Sequence, residues 1–260
     1  MLKISAPLLA VAALSAHAEF AMDFRAKDIR NDGSWPAVSG GYTMSPVHSS
    51  NGWTNAGVNK SVKPFGAVSF ETTSEGTPSP FAFDRHTATQ GVSHAFVIVY
   101  ADSQPAPMAT LINAPSVPLM LEPDSGNALF DTPPVSRDFV TEFYGGASLV
   151  ELDGCAQPLF SPSPKARLIH CHWETPQPLN RLFVGNSPAN PQWQMEWTGT
   201  GIAEIILAGD LGESQVNAVK RYFSAVFGIR DISRPDPEIP SILRKLGLDN
   251  SVFGTITIVR

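Results

Sequence analysis

Apolar and polar residues alternate over short runs along most of this chain, and turn residues break each run. Strand-like segments occur at 19–26, 66–71, 94–101, 118–123, 138–145, 148–154, 166–174, 181–186 and 201–209. Each is rich in β-branched or aromatic residues and bounded by Gly, Pro, Asn or Ser, the composition that fits a pleated, half-buried surface. In "DFVTEFYG" Phe139, Thr141 and Phe143 point one way and Val140, Glu142 and Tyr144 the other. "HAFVIVYA" (94–101) is apolar on both faces, as a strand covered on both sides must be. No helix-period run of useful length separates these strands, which argues against a parallel βαβ architecture. Two polar stretches, 40–64 and 72–93, read as long loops.

The exception is "GIAEIILAGDLGESQVNAVKRYFSAVFGI", residues 201–229. A strand pattern passes directly into a helix pattern. Val216, Val219, Phe223 and Val226 recur at spacings of three, four and three, and Ala218, Tyr222 and Ala225 widen that stripe. Gly212 stands at the N-cap with Gln215 three residues on, a capping-box arrangement with glycine in the cap position. Lys220 and Arg221 lie toward the end that the helix dipole favours for cations. Gly228 supplies the left-handed residue that ends the helix. A helix with one apolar stripe must lie against something. In a two-sheet protein it is expected over an open edge or end of the core.

These residues carry a resemblance. Gly201, Ile202, Ala203 and Glu204, then Leu211, Val219, Tyr222, Gly228 and Ile229, are similar to the closing strand and helix of LamG-like domains in the concanavalin A-like lectin/glucanase superfamily. Phe24, Ala26, Trp35, Ser39 and Gly40 resemble that family's opening segment, and "RLFVGN" (181–186) its penultimate strand. The match covers about residues 22–229, with Gly212 where the family usually has Ser. It implies an all-β fold: a two-sheet antiparallel jelly-roll sandwich with one C-terminal helix packed on it. A further helix and strand, in "IPSILRKLGL" and "VFGTITIVR", extend it at 230–260. Such a terminal strand pairs with its own sheet edge or with a neighbouring subunit. The resemblance also implies loop-bound calcium.

Length and composition fit this picture. The 260 residues suit a single large sandwich. At 43% hydrophobic and 16% charged the chain has ample material for a core. The net charge of −6, with no Lys/Arg run longer than two, argues against nucleic acid or an anionic membrane as partner. Residues 1–18 carry Lys3, an apolar stretch from Leu8 to Leu14, and Ala16-His17-Ala18, the pattern of a cleaved secretory signal. The expected location is therefore secreted, periplasmic or at the cell surface. The alternative is a retained apolar arm, which suits a subunit of a large assembly such as a virion. No later segment reaches the roughly 18 apolar residues that span a membrane. Cys155 and Cys171 are candidates for one disulfide, since neighbouring antiparallel strands would bring them together.

Catalytic chemistry is poorly supported. Glycosidases of the superfamily carry carboxylates at i, i+2 and i+5 on one strand, ready for double displacement. Glu151 and Asp153 give the first two, but position 156 is Ala and Gly154 marks a turn. Glu204, alone in an apolar strand, is expected to pair with a basic residue or backbone donors, because an unpaired buried carboxylate is costly. His170 and His172 share one strand face and are weak metal candidates, as are the turn aspartates Asp124, Asp153 and Asp210. Flat aromatic faces beside amides suit sugar rings. Trp53 with Asn51 and Asn55, and Trp193 with Gln192 and Gln194, are thus the ligand-binding candidates, whereas Trp197 is expected in the core. The sequence reads as a non-catalytic recognition or adhesion module for a glycan or protein. The alternatives are a structural subunit, such as a phage decoration or tail protein assembling through its terminal segments, and a carbohydrate-active enzyme of the same fold.

Overall fold

A computed structural model describes residues 20–39, 41–46, 57–59, 62–69, 81–83, 91–101, 112–113, 149–156, 163–179, 183–184, 200–230, 233 and 236–248. Within these the chain is mostly strand, in two antiparallel sheets, with two α-helices. The larger sheet contains β1 (Ala21–Arg25), β4 (Gly57–Asn59), β5 (Ala67–Ser69), β7 (Gly91–Ala101), β9 (Leu149–Leu152), β10 (Cys155–Ala156), β11 (Ser163–Pro178) and β13 (Thr200–Ala208). Its order is β10-β9-β11-β7-β13-β5-β4, and β1 also pairs with β13. The smaller sheet contains β2 (Trp35–Pro36), β3 (Thr43–Pro46), β6 (Phe81–Phe83), β8 (Ile112–Asn113) and β12 (Phe183–Val184), in the order β2-β3-β6-β12-β8. Strands β3, β4 and β6 fall inside the stretches expected to be loops. They are only three or four residues long, too short to show alternation against a polar background. The expected strands at 118–123 and 138–145, the segment 1–18 and the terminal run "VFGTITIVR" lie outside the described residues.

The centre of the large sheet is β7, flanked by β11 and β13. Its two faces differ. Met22, Phe24, Val97, Val99, Ile169, Trp173, Ile205 and Leu207 lie on one and are fully buried. Trp35 of β2 meets this face: its ring packs edge-on to Phe24 at 6.2 Å, and its indole N–H donates to the Arg25 carbonyl at 2.9 Å. The other face presents Asp23, Arg25, Glu204, Ile206, His94, Phe96, Ile98, Leu168, His170 and Glu151, which the cross-strand register aligns. A bulge at Ala203, between Ile202↔Val99 and Glu204↔Ile98, sets that alignment; without the extra residue Glu204 would turn to the opposite face.

Helix α1 (Glu213–Phe227) lies on this second face. It covers a sheet face, not the edge or end expected from the sequence, because the face beneath it is itself apolar at Phe96, Ile98 and Ile206. At the N-terminus the Gln215 side-chain oxygen accepts from the Gly212 N–H at 2.7 Å; glycine has no side chain to reciprocate, so only half of a capping box forms. At the C-terminus Gly228 adopts φ 65° and its N–H donates to the Ser224 carbonyl at 3.0 Å. Ala218, Val219, Tyr222 and Phe223 are buried, and Val216 and Val226 pack at the margins. Ala225, expected to widen the stripe, is exposed, and Ser224 is buried instead with its hydroxyl donating to the Ile229 carbonyl at 3.0 Å. Helix α2 (Ile239–Lys245) follows and buries Ile239, Ile242 and Leu243 in the same cluster. No helix among the described residues is long and apolar enough to cross a membrane.

Candidate functional site

Two polar clusters sit where α1 meets the large sheet. The first joins β1, β13 and α1. Arg25 and Glu204 are cross-strand partners, and Asp23 lies two residues before Arg25 on the same face. Arg25 Nη2 is 2.7 Å from Asp23 Oδ2 and donates to the Tyr222 hydroxyl at 3.1 Å; Tyr222 donates in turn to Glu204 Oε1 at 2.7 Å. Arg25 Nε lies 3.5 Å from the same Glu204 oxygen. The Arg25 guanidinium also stacks over Phe65 at 4.5 Å. Two carboxyls therefore share one guanidinium away from water. Burial raises the pKa of both, and the neighbouring Asp23 pushes Glu204 well up, so Glu204 keeps its proton and Arg25 balances Asp23. The expectation that Glu204 pairs with a basic residue holds. Asp23, which makes the pair of acids, was not foreseen.

The second cluster joins β9, β11, β7 and α1. Glu151 Oε2 is 2.7 Å from His170 Nδ1 and 2.6 Å from Lys220 Nζ. His170 Nε2 is 3.1 Å from His94 Nδ1. With Glu151 ionised, His170 donates from Nδ1 and accepts at Nε2, so His94 carries its proton on Nδ1. His94 Nε2 is then a buried acceptor with no hydrogen-bond partner. The rings form a stack: His94 to His172 at 4.5 Å, and Phe96 to His170 at 4.3 Å with the planes 1° apart. Burial, helped by the other two imidazoles, lowers the His94 pKa to about 3. Burial also lowers that of His170, against the opposing pull of Glu151. The hydrogen bonds from His170 and Lys220 hold Glu151 at about 2, against desolvation.

A carboxylate–imidazole–imidazole chain has the order of a proton relay, yet general-base catalysis needs a substrate proton within hydrogen-bond reach of its end. His94 is 4% exposed and no donor reaches its Nε2. These contacts tie β7, β9, β11 and α1 together. His94 escaped notice because it opens an otherwise apolar strand.

The other expected site residues fare as follows. Trp53, Asn51, Asn55, Trp193, Gln192, Gln194, Trp197 and Asp124 lie outside the described residues. Asp153 adopts φ 49° in the β9–β10 turn; its carboxylate accepts from the Leu168 N–H at 2.9 Å and pairs with Arg167. Asp210 is exposed in the turn before α1. No group of three or more His, Cys, Asp or Glu side chains able to hold a metal ion occurs among the described residues. Cys155 and Cys171 are free thiols, the first exposed and the second buried. Strand β9 lies between their strands, and on it Cys155 is registered with Leu152 and Cys171 with Val150, so two strand spacings and a two-residue offset separate their backbones. A disulfide needs Cα atoms within about 7 Å, so the expected bond does not form. Burial drives the Cys171 thiol pKa well up.

An open depression of about 430 Å³ lies beside the first cluster. Its floor is Arg25, Lys27 and Asp28 come from the 3-10 turn Ala26–Asp28, Arg30 follows, and residues 36–38 form a wall. The wall is pinned by Val38 N–H donating to the Asp23 carbonyl at 2.7 Å and Ala37 N–H donating to the Tyr42 carbonyl at 2.8 Å. No protein-family model, curated protein or solved structure matches the chain.

Proposed function

We propose that the chain is a non-catalytic recognition module, exported or displayed at a surface, that binds a glycan. One observation carries the reading. The described clusters with chemistry to offer, Asp23–Arg25–Glu204–Tyr222 and Glu151–His170–His94–Lys220, are buried where α1 meets the large sheet, and of their members only Arg25 lines the open concavity. Glu151 and Asp153, the nearest approach to a glycosidase pair, are each tied to a basic partner. A glycan site needs a preformed concavity, not a reactive group. A jelly-roll sandwich is the fold proposed with it. In support, the sheet face opposite α1 buries Met22, Phe24, Val97, Val99 and Ile205, and Trp35 of the smaller sheet packs on Phe24 there.

The test is retention of the full chain on immobilised polysaccharides of varied composition, with reducing ends measured in the eluate. Retention without release of reducing ends supports the reading. No retention on any polysaccharide, or release of reducing ends, overturns it.

A further inference from the structure

The geometry points to an acidic polysaccharide, one bearing carboxylate or sulfate groups, as the ligand of the depression formed by Arg25, Lys27, Asp28, Arg30 and residues 36–38. This rests on the glycan-binding reading above and names the ligand class. Lys27 and Arg30 are exposed among its lining residues, and the Asp32 carboxylate acts electrostatically on Arg30. Lys27 Nζ lies over the Phe65 ring at 4.8 Å. Two such cations on a chain of net charge −6 stand out against their surroundings and attract anions locally.

The wall adds an apolar contact. Val38 is 53% exposed, the large exposed hydrophobic residue among those described, and it stands beside Pro36 and Ala37. A sugar ring offers both an apolar face and polar edges. Its face fits against Pro36 and Val38, its anionic substituent reaches Lys27 and Arg30, and a hydroxyl can donate to Asp28. Hydrogen bonds brace the loop from Arg30 to Ser34. Arg30 N–H donates to the Ser34 carbonyl at 2.9 Å, and Asp32 accepts from the Ser34 N–H at 2.9 Å and hydroxyl at 2.6 Å. Buried Arg25 anchors the floor through Asp23 and Tyr222.

The experiment measures dissociation constants of the full chain for polygalacturonate, chondroitin sulfate, neutral galactan and poly-glutamate, at low and raised NaCl. The wild type and Lys27→Ala/Arg30→Ala are compared, with thermal melting as a control for folding. The expected result is binding to one or both acidic polysaccharides that weakens with salt, and about a tenfold or greater loss in the double variant with unchanged melting. Val38→Ser is expected to weaken the same ligand without changing the charge of the depression. Equal binding of galactan, insensitive to the double substitution, overturns the anionic ligand and leaves glycan recognition standing. Binding of poly-glutamate alone, dependent on Lys27 and Arg30, overturns the inference in favour of an acidic peptide. Absence of binding to all four overturns it as well.

Discussion

Acidification to pH 5 should loosen α1 through His94. The folded chain holds this imidazole neutral, with its pKa lowered to about 3 by burial and by His170 and His172. In the unfolded chain it titrates near the ordinary value of about 6.5. Between those values the unfolded state binds a proton that the native state refuses. The stability His94 contributes is therefore complete above about pH 6.5 and declines as pH falls toward 3. From pH 6.5 to 5 is about 1.5 units at ~1.36 kcal/mol each, a loss of about 2 kcal/mol from one imidazole. His170 shifts in the same direction and adds to it. Asp23 and Glu204 shift upward, so acid relieves their cost and opposes the trend; comparing two variants at each pH cancels that common part. The comparison is wild type against His94→Phe, whose ring suits the stack with Phe96 and His172. Urea unfolding at pH 7 and pH 5, followed by the fluorescence of buried Trp35 and Trp173, gives both stabilities. The phenylalanine variant is less stable at pH 7, where it leaves His170 Nε2 without its partner, but loses about 2 kcal/mol less on going to pH 5. Identical losses in the two proteins would refute the reasoning.

Further expectations follow from the same contacts. Phe223→Ala removes a fully buried ring between α1 and Phe96, and should cost about 3–5 kcal/mol in urea or thermal unfolding. Glu204→Gln should raise stability at pH 7, since the amide needs none of the proton uptake that folding imposes on a carboxyl held protonated there, and the gain should shrink as pH falls toward the unfolded carboxyl's range, whereas Asp23→Asn strips Arg25 of its buried anion and should cost about 3–5 kcal/mol; comparable losses in both contradict the assignment. Native protein should react with one equivalent of a thiol reagent, at exposed Cys155, and with two in denaturant. No reaction before reduction would mean a disulfide.

The most legible part of the sequence was the passage from β13 into α1, where period, caps and the terminal glycine agree locally. Gly228 and Gln215 do what their positions suggest. The strands β1, β7, β9 and β11 were also visible, because each buries at least one apolar face. The polar clusters were not. Arg25 meets Tyr222 across 197 positions, His94 meets His170 across 76, and Lys220 meets Glu151 across 69. Only the register of β7 on β11, and the single bulge at Ala203, decide which of these side chains share a face. Spacing along one strand put His170 and His172 on one face, but the imidazole that meets His170, that of His94, comes from the neighbouring strand. The disulfide expectation failed for a similar reason: the order β10-β9-β11 inserts a strand between two cysteines that the sequence places on consecutive elements. The depression at residues 25–38 left no pattern in the sequence, since its cations are spread over a strand end, a 3-10 turn and a loop.

The central claim is that this chain binds a polysaccharide and leaves it intact. One incubation tests it: the full chain with the polysaccharide that retains it best, assayed for bound protein and for new reducing ends, beside a Glu151→Gln variant. The account predicts equal binding by the two proteins and no reducing ends from either. Reducing ends that the wild type releases and Glu151→Gln does not would contradict it, and would make the Glu151–His170–His94 chain catalytic machinery.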